Sequence, residues 1–189
     1  MEDKYTNYVS GHIIVECLDA QSNVLDRYEE HNLIMDKART AISELACGLT
    51  GTAGKPINKF VLGTEGHKSG DYLTPKTSTE GFISSRTMLF SEDSASYEYP
   101  IVFKNPGTAT GSCTIVSEPN SGSTINLLHE NNNVQYTIEI PATAANSTGI
   151  VVYTEAALYA GTNIFSMKCF PAKIKDNTVA LRIIWKILF

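Results

Sequence analysis

Charge is scarce in this chain. Only 19 % of its 189 residues are Asp, Glu, Lys or Arg, below the roughly 25 % of an average soluble domain. What charge there is leans acidic, with a formal net of −5. That excludes a general nucleic-acid binder, which needs a basic face. No apolar run approaches the roughly 18 residues of a membrane-spanning helix, so no membrane role is expected. The start, Met1-Glu2-Asp3-Lys4, is polar with no apolar segment behind it, and reads as lacking a secretory signal.

Cysteine pairs are missing too. Cys17, Cys47, Cys113 and Cys169 lie far apart and form no C-x-x-C unit, which removes zinc-ribbon and thioredoxin-like motifs. Two disulfides could be drawn, but four buried free thiols are the expectation. Cys17 and Cys169 sit in apolar strand-like runs, where a thiol acts as a small hydrophobe. His12, His31, His67 and His129 are scattered without metal-ligand spacing, so neither a metal nor another cofactor is expected.

Catalytic motifs fail in turn. Gly51-Thr-Ala-Gly-Lys55 has Leu49 where a phosphate loop needs its first glycine, and Pro56 where it needs Ser or Thr. Gly63-Thr-Glu-Gly66 is not a dinucleotide fingerprint. No G-x-S-x-G occurs, and His129-Glu130 has no second His at zinc spacing. With no marked nucleophile, an enzyme is not expected and no catalytic residue is assigned.

In place of charge the chain carries 16 Ser, 19 Thr and 13 Asn, together about a quarter of it. Such residues suit strands and turns better than helix bundles. Val9, Ile13, Val15 and Cys17 alternate along 9–18, and Asp19-Ala-Gln-Ser-Asn23 supplies a turn into Val24–Glu30, so a hairpin is predicted. One amphipathic helix is predicted near 33–48, with Ala38, Ala41, Ile42, Leu45 and Ala46 at helical spacing. Asn32 or Asp36 would cap its start, and Gly48 would follow its end.

Further strands are predicted at Ile57–Leu62, Phe82–Phe90, Tyr97–Lys104, Ser112–Ser117, Thr124–His129, Val134–Ile140, Ile150–Ala160 and Asn163–Phe170. The intervening 63–81 holds Tyr72 and Leu73 as its large apolar residues and reads as a long loop, mobile or ordered by another chain. Glu155 stands in an apolar strand, and a buried carboxylate there needs a partner such as Arg182 or Arg86.

The sharpest signal is the terminal run Thr178–Phe189. Val179, Leu181, Ile183, Trp185, Ile187 and Phe189 share one face, which must be core at about 25 cal/mol per Å² of apolar burial. A terminus ending on Phe189 also reads as buried. Ile184 and Leu188 on the other face are candidates for a subunit interface, or else lie under the helix or a loop. The sum is a mainly β, single-domain chain over 1–189. It reads as an antiparallel β-sandwich, Ig-like or jelly-roll-like, carrying an inserted helix and the 63–81 loop.

Three segments carry a resemblance. They are Asn23-Val-Leu with Glu30-His-Asn-Leu-Ile-Met-Asp-Lys-Ala-Arg39, then Ile57-Asn-Lys-Phe-Val-Leu-Gly-Thr64, then Tyr153-Thr-Glu-Ala-Ala-Leu-Tyr159 with the Lys173 region and Leu181-Arg-Ile-Ile-Trp-Lys-Ile-Leu-Phe189. Together these resemble small structural proteins of tailed bacteriophages. That pattern has a hairpin, a helix after an Asn-Leu pair, an "LGT" strand end, an acidic residue before an apolar-aromatic strand, and a Trp-containing last strand. About half the chain is covered, and residues 64–132 lie outside it.

The resemblance implies a virion component of the neck or collar, tail or baseplate, assembled in the host cytoplasm, with no catalytic residues. Its partners would be itself, as a trimer or ring, and other virion proteins. Tyr72, Leu73, Ile184, Leu188 and Phe189 are the expected subunit contacts. The alternative is a receptor- or glycan-binding sandwich using Tyr72, Tyr97 and Tyr99. A small hydrolase with an unmarked site is a third.

Overall fold

A computed structural model of the chain describes residues 9–46, 56–91, 97–103, 112–116, 123–146 and 149–189. Two antiparallel sheets face each other. The larger has seven strands in the order β2 (Val24–His31), β1 (Ser10–Leu18), β14 (Ala180–Leu188), β11 (Asn133–Ile140), β10 (Thr124–Glu130), β9 (Ser112–Val116) and β8 (Val102–Phe103). The smaller has five, in the order β3 (Leu33–Ile34), β13 (Asn163–Lys175), β12 (Val151–Ala160), β4 (Ile57–Gly63) and β7 (Tyr97–Pro100). The mainly β, sandwich-like reading therefore holds.

The last strand is central because two neighbours share it. Trp185 stands opposite Ile13 of β1 and opposite Tyr136 of β11. Its alternation puts Leu181, Ile183, Trp185 and Ile187 at 1 % exposure or less. The indole N–H of Trp185 donates to Ser166 Oγ at 3.2 Å, so the buried donor is satisfied across the core. The ring meets Phe60 of the facing sheet edge-on at 6.5 Å. Phe189 departs from the expectation of a buried terminus and is 45 % exposed. The strand ends at Leu188, and the Phe189 backbone is tied sideways to Asn132 instead.

The β1–β2 hairpin forms where the turn residues stand. Asp19 accepts the Gln21 and Asn23 N–H groups at 2.9 and 2.8 Å, and Ser22 takes a left-handed φ of 66°. The helix α1 (Asp36–Ala46) starts three residues later than the predicted 33, because Leu33–Ile34 pairs with Met167 and Ser166 as β3. Ala38 and Ala41 face the core. Gly48, the expected end of the helix, lies outside the described residues, as does all of 47–55.

The smaller sheet is buried on both faces. Phe60, Leu62, Ala156, Leu158 and Phe170 join the inter-sheet core. A second cluster, Met35, Val61, Leu89, Ala157, Tyr159, Ile164, Met167 and Cys169, lies on the other face with Phe82 and Phe90 packed on it. The cover is the segment 64–91. It is not the structureless loop read for 63–81: it holds a small hairpin, β5 (His67–Lys68) with β6 (Asp71–Pro75), then a 3-10 turn over Ser78–Glu80. Nor is Phe82–Phe90 a strand. It runs as turns, and its apolar side chains are explained by the sheet they cover.

Candidate functional site

Two neighbouring side chains of β12, Glu155 and Thr154, pin the cover. Along β12 the outer face of the smaller sheet carries Glu155, Ala157 and Tyr159, and Glu155 is fully buried. Its Oε1 accepts the Ser91 N–H at 2.9 Å, the Ser91 hydroxyl at 2.7 Å and the Glu65 N–H at 3.4 Å. Its Oε2 accepts the Phe90 N–H at 2.9 Å. Beside it, Thr154 Oγ1 accepts the Gly66 N–H at 2.9 Å. Adjacent residues can both reach the cover because the β12–β13 register shifts between Tyr153 and Glu155, a bulge that re-aims them.

The expected partner is therefore corrected. Arg182 lies in the other sheet, bound to Glu16 and Glu139. Arg86 donates to the Leu89 carbonyl at 3.0 Å and lies 3.5 Å over the Phe90 ring. Backbone N–H groups, not a guanidinium, hold the carboxylate, an arrangement that stabilises a buried anion by oriented dipoles.

Two glycines make the approach possible. Gly63 is the Cα partner of Glu155, and a Cβ on it would come within 2.2 Å of Ser91 Oγ and 2.5 Å of Glu155 Oε1. A Cβ on Gly66 would fall 2.4 Å from the Thr154 carbonyl oxygen. His67 follows, with Nδ1 3.1 Å from the Thr64 carbonyl and its ring stacked 4.1 Å from Tyr72.

Other buried titratable groups are likewise structural in their contacts. Burial pushes the Cys17 thiol up to about 11 and the Cys169 thiol up to about 12, the latter helped by the Glu155 charge. Both stay protonated near neutral pH and are free and buried, as expected. The side chains of Cys47 and Cys113 lie outside the described residues. Lys175 is fully buried and gives its ammonium protons to the Ala142 and Asp176 carbonyls at 2.7 and 2.8 Å; burial lowers it to about 8. Among the described residues no three His, Cys, Asp or Glu are grouped to hold a metal ion. Glu155 lines neither of two surface hollows, one of about 280 Å³ by Leu128, Gln135 and Lys186 and one of about 190 Å³ by Leu18, Pro141 and Arg182.

The predicted interface residues do not form one patch. Tyr72 and Leu73 are 54 % and 73 % exposed on β6, over the smaller sheet. Ile83 and Met88 of the same cover are also exposed. Ile184 and Leu188 lie on the outer face of the larger sheet, the opposite side of the sandwich. Ile184 is half-buried between Ile14 and Thr137.

The adjoining cross-strand row is charged and alternates in sign: Arg27, Glu16, Arg182, Glu139. Arg27 and Arg182 flank Glu16 at 2.6 and 3.2 Å, and Arg182 reaches Glu139 at 3.2 Å. This row was legible only as isolated charges on four separate strands. Tyr97 and Tyr99 fall on β7, where side chains lie outside the description. No known protein family matches the chain, and neither a curated protein nor a solved structure matches it.

Proposed function

We propose that the chain is a non-enzymatic structural component of a tailed-bacteriophage virion, acting in the neck or collar, tail or baseplate as a symmetric homo-oligomer. The observation that carries this reading is the contact between Gly63 and Glu155. The "LGT" strand end and the acidic residue are two separate pieces of the phage-protein pattern, about ninety positions apart. They meet as one device, in which the carboxylate fastens a covering segment. Tyr72, Leu73, Ile83 and Met88, exposed on that cover, supply apolar contact area of the kind an assembly buries.

The test is direct. Particles of the phage that encodes the chain are purified and their proteins identified by mass spectrometry, alongside the solution mass of the purified protein. Presence in particles together with an oligomeric mass is expected. A protein absent from particles and strictly monomeric would overturn the reading. The exposed Tyr72 ring, braced by His67, favours the glycan-binding alternative; binding on a glycan array that is lost in Tyr72→Ala would select it.

A further inference from the structure

The two large sheets have four edges. Three are short: β3 and β8 have two residues each, and β7 has four and ends on Pro100. The fourth, β2, has eight residues, and all but Tyr28 are exposed. Its far side has no strand partner among the described residues. An edge this long is normally blunted by charge, Pro or a bulge. β2 has no Lys or Pro; its one bulge against β1 lies at the start of the strand, between Val24 and Asp26, and its register is unbroken from Asp26 to His31.

The charges on β2 are arranged instead. On the inner face, Asp26 and Glu30 bind Lys173 and Lys168 of β13 at 2.6 and 2.5 Å, so both are neutralised within the subunit. On the outer face, at the end of the row Glu139, Arg182, Glu16, Arg27, Arg27 binds Glu16 at 2.6 Å and also its own-strand neighbour Glu29, which lies 3.4 Å from His12.

We infer that β2 is a homodimer edge, pairing antiparallel with β2 of a second copy about a two-fold axis at Tyr28 and joining the two seven-stranded sheets into one. An axis perpendicular to the sheet keeps both outer faces on the same side, so the strand can be centred only on a residue. Centring on Tyr28 puts Arg27 opposite Glu29 of the second copy, twice, and the alternating row continues across the junction. Centring one residue earlier sets Arg27 against Arg27, and one later sets Glu29 against Glu29, both like-charge contacts that destabilise directly opposed positions. Opposite charges across the junction thus favour a second copy as the occupant and Tyr28 as the centre. Asp26 comes opposite Glu30 of the second copy, and the two lysines already bound to them on each side remove that repulsion. The outer charge pattern is self-complementary, as an isologous contact requires.

This names a contact for the homo-oligomer proposed above but does not depend on the virion reading. Sedimentation velocity of the full chain tests it. The unaltered protein is expected to be a dimer or a multiple of dimers. Glu29→Arg, an exposed change, should keep its melting temperature and weaken association tenfold or more. A mixture of Arg27→Cys and Glu29→Cys chains should form a covalent dimer on mild oxidation far more readily than either variant alone. A monomeric unaltered protein, a Glu29→Arg protein that associates unchanged, or a mixture that does not cross-link would each overturn the inference. A β2-paired dimer never found in particles sinks the virion reading alone. A particle protein whose assembly ignores Glu29→Arg sinks the edge pairing alone.

Discussion

At the scale of single residues, Glu155 shows how a carboxylate can be buried without a cation. The residue stands out in the sequence because it interrupts an apolar strand. Its partners do not, because every residue but proline carries an N–H and no letter marks which ones are aimed inward. Only Ser91 adds a side chain, and it is 64 positions away. Glu155→Gln keeps the size but turns a donor toward donors, leaving one or two buried N–H groups unpaired. The expected loss is about 1–3 kcal/mol per unpaired group. Gly63→Ala forces a Cβ against Ser91 and Glu155 and should destabilise similarly. Hydrogen exchange should show both variants losing protection across 64–91 before the sandwich. Unchanged protection there would mean that Glu155 is a bystander.

At the scale of elements, legibility followed the period of the pattern. The terminal strand was readable because six large apolar residues alternate and the intervening positions are mixed; the hairpins were readable from their turn residues. The run Phe82–Phe90 misled because its apolar residues have no period that a strand would impose. They are apolar because a sheet lies under them, a tertiary cause that local spacing does not contain. The same holds for 63–81, whose few apolar residues hide a hairpin anchored through the Gly66 N–H and the stacked His67.

The terminal strand gives the sharpest prediction at this scale. Deleting Trp185–Phe189 removes the second half of β14, and with it the pairs that Trp185, Lys186, Ile187 and Leu188 make with both β1 and β11. Trp185→Ala alone should cost about 3–5 kcal/mol as a core truncation. The deletion should abolish soluble folding, and a deleted protein with unchanged melting temperature would refute the central role of this strand.

At the scale of the whole molecule, low charge permits a layered architecture with two apolar interfaces, one between the sheets and one under the cover. The class of fold was legible because strands and turns dominate the composition. The third layer was not, because nothing local distinguishes a segment that covers a sheet from a surface loop. Charge was then spent in few places, one being the seam that closes the sandwich between β2 and β13. There Asp26, Tyr28 and Glu30 face Lys173, Phe170 and Lys168.

The Lys168 ammonium, with the Tyr28 hydroxyl, holds the Glu30 carboxyl below its ordinary value of 4.5. A lowered folded value means that the unfolded chain binds the proton more readily, so folding stability is fully present above 4.5 and declines as pH falls through the lower folded value. Acidification should therefore loosen the β2 side of the sandwich first. Amide exchange across pH 3 to 7 is the measurement, with β2 expected to lose protection at acid pH before β11 and β14, and Lys168→Met expected to weaken that pH dependence, the Tyr28 hydroxyl still acting on Glu30. Because β2 is also the proposed dimer edge, the same acidification should dissociate the pair while the Trp185 core stays folded. Simultaneous loss of protection in β2 and β14 would show that the seam is not an independent closure.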